Sequence, residues 1–328
     1  NFLTLYSLNK HFAHTLSVVA DMIKSPIFPE AEMQVTIENN RQQFLVNSTK
    51  VDVMARKEFS RALFGKNHPC GRHAVLEDYE CLTTEHLKDF YHRYYHSGNC
   101  SIFLSGNISE MIIHQVRDEL GSSPWGSMHP CEPLSPLPIP DYEGRRIILE
   151  HPTAVQSSLR LGCPLVDRTH PDFAALKVLV TVLGGYFGSR LMSNIREEKG
   201  YTYGINASIA SFPFQGYLAI GTETDNEYVE PCIREVKYEM RRLQEELIPE
   251  QELSMVKNYM IGEMCRNYED PFSLSDAWIF VKTAGLENNF FQTLAEKIRR
   301  VKAEELRDLA FRYFQSENMI EVVAGKKM

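Results

Sequence analysis

The chain contains part of itself twice. Aligning Thr83–Asn107 with Lys302–Lys326 at a constant offset of 219 gives eight identities in 25 positions: Glu85/Glu304, Leu87/Leu306, Asp89/Asp308, Arg93/Arg312, Tyr94/Tyr313, Ser97/Ser316, Asn99/Asn318 and Gly106/Gly325. Upstream, Pro29-Glu30-Ala31-Glu32-Met33 faces Pro249-Glu250-Gln251-Glu252-Leu253 at an offset of 220. Chance does not readily produce such agreement at a fixed spacing, whereas duplication of one folding unit does. The same register implies that the first copy lacks the counterpart of residues 146–215. A domain without those strands and that helix leaves a sheet edge and an apolar face to be covered by another segment.

At 328 residues the chain is long for one domain, and the duplication makes it two. Residues 123–144, with Pro124, Pro130, Pro133, Pro136, Pro138 and Pro140, read as a linker. This places an N-terminally incomplete first domain at 1–122 and a second at 145–328. Strands are predicted at Phe2–Leu8, Asn99–Ser105, Arg145–Glu150, Gln156–Leu161, Tyr203–Ser211, Gly216–Thr222 and Met319–Ala324. Helices are predicted from Phe12 to Ile23, Glu30 to Val46, over 50–64, from Glu85 to about Tyr95, over Asp172–Leu183 and Ser189–Lys199, from Val229 to Leu243, Glu250 to Arg266 and Lys302 to Gln315. The expected class is therefore α+β: two homologous domains, each an antiparallel-rich sheet with helices packed on one face.

Composition narrows the function. A net charge of −8 without a Lys/Arg block argues against nucleic acid and anionic membrane surfaces. No apolar run approaches the roughly 18 residues of a membrane span. The seven cysteines, at 70, 81, 100, 131, 163, 232 and 265, include no CxxC pair. They read as scattered reduced thiols, which favours a cytoplasmic over a periplasmic setting.

The chemistry concentrates in Gly184-Gly185-Tyr186-Phe187-Gly188-Ser189-Arg190-Leu191 and Asn194-Ile195-Arg196-Glu197-Glu198-Lys199-Gly200-Tyr201-Thr202-Tyr203. Gly200 stands where the short helix needs a left-handed C-terminal residue. Arg196 near that helix end and Tyr203 at the strand start would give two fixed donors to a carbonyl oxygen. A surface-helix arginine and a sheet-packed tyrosine are the bland alternative. The remaining titratable candidates have bland readings too: His11 with His14 and His92 with His96 as surface or packed rings, Glu197-Glu198 as a solvated helix end.

Leu183-Gly184-Gly185, Ser189-Arg190-Leu191, Arg196-Glu197-Glu198-Lys199-Gly200 and Tyr203 together resemble the C-terminal-domain signature of the insulinase, pitrilysin and mitochondrial processing peptidase superfamily of zinc peptidases. Within that superfamily, the resemblance is greatest to bacterial members of the non-catalytic type. It implies that Arg196 and Tyr203 face the substrate peptide across from a zinc ion, with Gly184, Gly185, Ser189 and Arg190 shaping the substrate side. It also implies an HxxEH helix, which these 328 residues do not contain. The family's third zinc ligand falls on Gln43, and a second acidic position seven residues earlier falls on Thr36. A neutral amide is a poor zinc ligand beside a carboxylate.

The resemblance thus implies a non-catalytic, substrate-binding subunit that holds no metal or other cofactor itself and lends Arg196 and Tyr203 to the zinc site of a homologous partner; a homodimer is the other association expected. Two alternatives stay open: part of an active zinc peptidase whose HxxEH lies upstream, and a scaffold subunit without catalysis. With Gln43 at the ligand position, the purified chain is expected to hold no stoichiometric zinc. Metal analysis after chelator-free purification checks this, and one tightly held zinc per chain would contradict it.

Overall fold

The computed structural model describes residues 1–127, 135–137 and 145–326. The expected linker at 123–144 lies mostly outside these residues. Two compact units divide the chain: Asn1–Phe44, Ala74–Leu134 and Tyr268–Ile279 form the first, and Leu45–His73, Ser135–Asn267 and Phe280–Met328 the second.

The helices are α1 (Phe12–Lys24), α2 (Glu30–Ser48), α3 (Val51–Phe64), α4 (Leu76–Cys81), α5 (Thr84–Tyr94), α6 (Glu110–Val116), α7 (Phe173–Val180), α8 (Val229–Glu245), α9 (Glu250–Arg266), α10 (Pro271–Thr283), α11 (Phe290–Arg300) and α12 (Ala303–Tyr313). The strands are β1 (Arg145–Glu150), β2 (Gln156–Gly162), β3 (Pro164–Leu165), β4 (Thr202–Phe212), β5 (Gln215–Asp225) and β6 (Ile320–Gly325). The mixed α+β class follows from sequence as expected.

The first unit is helical among its described residues. Leu16 and Ala20 of α1 are buried, as are Ile112 and Val116 of α6, and the Tyr91 hydroxyl donates to the Ile23 carbonyl at 2.7 Å. Phe2–Leu8 and Asn99–Ser105 do not form the predicted strands. A strand exists only through its neighbours. The offset counterpart of residues 101–106 is β6, which is a strand because β1 and β2 flank it, and no described strand flanks residues 101–106.

The second unit is built on one sheet, ordered β1-β6-β2-β5, with β3 continuing beside β5 and β4 pairing β5 alone. β1 runs parallel to β6, and every other pairing is antiparallel. Alternation sorts the side chains. Leu159, Leu161, Leu218, Ile220 and Val323 join the core made with α7, α8, α9, α11 and α12. Ile320, Val322 and Ala324 point to the opposite face, where Ala55, Phe59, Leu63 and Phe64 of α3 meet them. Helices therefore cover both faces, many on one and α3 on the other, rather than one face only.

A cut at the linker separates most of the two units, but α3 crosses it. Its repeat counterpart, 220 residues on, is α10, whose Pro271–Ile279 portion belongs to the first unit. The duplicated helices are exchanged. The six described cysteines are free, and burial pushes the Cys163 thiol up to about 12.

Gly162 lies so close to α3 that a methyl group there would meet Phe59 Cζ at 2.8 Å. Phe59 is buried, and Phe59→Ala is expected to cost about 3 to 5 kcal/mol. Urea unfolding checks this; a loss under about 1 kcal/mol would mean that α3 is not an integral layer of this unit.

Candidate functional site

The site grows from α7, whose Ala174, Leu176, Val178, Leu179 and Val180 are all buried. The helix widens into a π turn over Thr181–Gly185 and ends against β4. At Gly184 a methyl group would stand 2.7 Å from both Cβ and N of Ala207, so no other residue fits without displacing the strand. The chain then re-enters a helix at Arg190, continued by the π segment Met192–Glu198, within one residue of the sequence expectation at each end. Leu191 and Ile195 pin that segment to the core. Gly200, at φ +67°, reverses the chain into β4 as expected.

A β-bulge sets the direction of Tyr203. Thr202 pairs with Thr224 and Ile205 with Thr222, so Tyr203 and Gly204 together oppose Glu223. The backbone groups released by the bulge go to threonine hydroxyls. Gly204 N–H donates to Thr202 Oγ1 at 3.1 Å, Thr222 Oγ1 donates to the Gly204 carbonyl at 2.9 Å, and Thr202 Oγ1 donates to the Glu223 carbonyl at 2.7 Å. Tyr203 is consequently 93% exposed, so it is not the sheet-packed tyrosine of the bland alternative.

Arg196 follows the buried Ile195 and turns outward, with its side chain 34% exposed. Its guanidinium carbon lies 4.5 Å from the centroid of the Phe187 ring, and Phe187 is itself exposed. This cation–π contact orients the guanidinium without using its hydrogen-bond donors. Glu197 approaches only to 3.9 Å.

Expected on the substrate side, Gly184 and Ser189 are instead buried. Arg190 has a side chain only 9% exposed, and it forks onto Glu252 of α9 with Nε and Nη2 donating at 2.9 and 3.0 Å. These three residues shape the joint from within, and Gly185 alone of the four lies at the surface. Burial and the Glu252 carboxylate together push the neighbouring Tyr186 phenol up, keeping it a neutral donor.

Three residues of α8, Glu235, Glu239 and Arg242, also carry the joint and gave no sign in sequence. Asn194 Nδ2 donates to Glu239 Oε1 at 2.7 Å and to Glu235 Oε2 at 3.0 Å on α8. Glu239, 2% exposed, is balanced by Arg242 at 3.3 Å. Glu235 also faces Lys199 at 3.4 Å. These partners lie some forty residues apart in sequence, beyond any local motif.

Thr36 and Gln43 are exposed on α2. His11, His14 and His92 are exposed and His96 is buried. Among the described residues, no group of three or more His, Cys, Asp or Glu side chains is placed to hold a metal ion. No helix among the described residues is long and apolar enough to cross a membrane.

A family model described as "Peptidase M16 inactive domain" matches residues 82–260. A Bacillus subtilis protein named "Uncharacterized zinc protease YmxG" is 26% identical over 266 residues, covering 80% of this chain, and the chain spans 63% of its length. A Helicobacter pylori protein named "Non-peptidase homolog YmxG" is 24% identical over 99% of this chain and 75% of its own length. The crystal structure of a peptidase M16 inactive domain from Pseudomonas fluorescens superposes with a TM-score of 0.80 at 23% identity, covering 96% of this chain and 76% of that one.

Glu252→Ala would leave the Arg190 guanidinium without its counter-charge, while among the described residues its Nη1 already has no hydrogen-bond partner. A loss of about 3 kcal/mol is expected, with part recovered in Glu252→Gln. Thermal and urea unfolding measure it; a change below about 1 kcal/mol would class the pair as an ordinary surface bridge.

Proposed function

The chain belongs to the peptidase M16 inactive-domain family, and from that premise we propose that it is the substrate-binding, non-catalytic member of a peptide-cleaving assembly. Arg196 and Tyr203 are its contribution to the chemistry. The observation that carries this reading is the pairing of a 93% exposed tyrosine, held out by a bulge, with an arginine stacked on an exposed ring. A protein with no use for these groups has no reason to display a phenol so fully or to leave most guanidinium donors uncommitted.

A peptide carbonyl oxygen gains negative charge as a nucleophile adds to its carbon. The Arg196 guanidinium and the Tyr203 hydroxyl are both hydrogen-bond donors, suited to that developing oxyanion. The metal chemistry is assigned to a homologous partner subunit. Among the described residues no strand pairs with the edge of β4 away from β5, which suits a peptide laid alongside as an added strand.

Tyr203→Phe removes one hydroxyl from an exposed position and leaves the fold intact. In the assembly with a zinc-bearing homologous subunit it is expected to lower kcat about a hundredfold, roughly 3 kcal/mol of transition-state stabilisation. Arg196→Ala is expected to cost at least as much, with part of the loss in KM if the guanidinium also holds the ground-state carbonyl. Steady-state kinetics with melting temperatures decides it: unchanged kcat in both variants would remove this pair from catalysis.

A further inference from the structure

The β4–β5 hairpin closes through Phe212-Pro213-Phe214-Gln215, with Phe212 paired to Gln215. Phe214 sits at φ +67°, a left-handed conformation that a tight turn normally gives to glycine. The turn therefore keeps a bulky ring where a smaller residue would be easier, and both Phe212 and Phe214 are exposed. Beside them opens a pocket of about 320 Å³ lined by Asp167, Arg168, Ser211, Phe212, Phe214 and Phe280, among others. That is room for one large side chain.

Arg168 is the charged group of this pocket. Its guanidinium carbon lies 4.5 Å from the centroid of the Phe280 ring. Nε donates to Ser211 Oγ at 3.2 Å, Nη2 donates to the Ser211 carbonyl, and the backbone N–H of Arg168 donates to Ser211 Oγ at 3.0 Å. Among the described residues Arg168 forms no ion pair. The adjacent Asp167 turns its Oδ1 to Thr169, accepting from the backbone N–H at 2.7 Å and from Oγ1 at 2.6 Å. Burial pulls the guanidinium below its ordinary value, and the charge of Asp167 offsets this in part.

A partly buried arginine, stacked on one ring, oriented by one serine and lacking a salt-bridge partner, stands among displayed phenylalanines. We infer that this hairpin pocket is a second binding site, which takes the terminal carboxylate and apolar last side chain of a peptide. The guanidinium fork supplies the charge-assisted contact, and Phe212, Phe214 and Phe280 supply the apolar wall. That the natural carboxylate belongs to a peptide rests on the peptide-handling reading above; the pocket's preference for an apolar acid does not. The site lies at the far end of β4 from Tyr203, nine residues or about 30 Å along the strand, so the two can be tested apart.

The test titrates the full chain into a fluorescein-labelled ten-residue peptide ending in phenylalanine, as free acid and as amide, followed by fluorescence anisotropy. The free acid is expected to bind about tenfold more tightly than the amide. Arg168→Gln is expected to erase that difference. Arg168→Lys, which keeps the charge and loses the fork, should shrink it and serves if the glutamine variant does not fold. Phe214→Gly is expected to raise the melting temperature by relieving the turn while weakening both peptides, a combination that a purely structural role does not produce. Arg196→Ala should leave the acid-over-amide ratio unchanged even if both peptides bind less tightly, which separates failure here from failure of the cleavage reading. Equal affinity for acid and amide, an acid preference that survives both Arg168 variants, or no binding of either peptide would overturn the site. N-acetyl-phenylalanine binding as tightly as the peptide would assign the pocket to small aromatic acids and overturn the peptide assignment.

Discussion

The approach of the α7 end to β4 at Gly184 is the constraint on which the site depends. With no Cβ at that position, the wide Thr181–Gly185 turn rests directly on Ala207. A side chain there would push the helix end from the strand, and the segment through Lys199 would lose its footing. The close contact fixes where the second helix starts, and Leu191 and Ile195 fix how it is rotated. Arg196 then has one direction left to it, which is outward. Gly200 and the bulge complete the arrangement by aiming Tyr203 away from the sheet.

Buried and exposed charges divide the labour. Surface pairs such as Arg41–Glu38 and Lys88–Glu85 are each worth at most about 1 kcal/mol. The Arg190–Glu252 fork and the Asn194–Glu239–Arg242 set hold desolvated groups whose partners cannot be removed singly without a larger cost. They bind the short helix to α9 and α8 at defined angles. The exposed, screened pairs lie away from the joint, and the buried ones adjoin the residues that position Arg196.

Much of this was legible in the sequence, for local reasons. The apolar run of α7, the heptad-like spacing on α8, the left-handed Gly200 and the strands β4, β5 and β6 are short-range signals, and the duplication is a matter of letters alone. What escaped were the long-range terms. The amphipathic pattern of α3 shows that it covers a sheet but not which one. Phe2–Leu8 alternates like a strand and Asn99–Ser105 carries a short apolar run, yet neither pattern supplies a neighbour to bond with. Arg190 reads as a substrate contact until Glu252, 62 residues away in sequence, is seen to take its fork. The bulge at Tyr203–Gly204 is foreshadowed only by a glycine one residue into the strand, a weak cue that this chain uses to turn a phenol outward.

The central claim is that this chain completes a cleavage site it does not itself contain. The direct measurement is a titration of the chain into a fixed amount of a zinc-bearing homologous subunit, with an internally quenched peptide reporting cleavage. The account predicts negligible cleavage by either protein alone and a rate that climbs with added chain to saturate at one equivalent. A rate that stays flat across the titration, or cleavage by this chain alone, would contradict it.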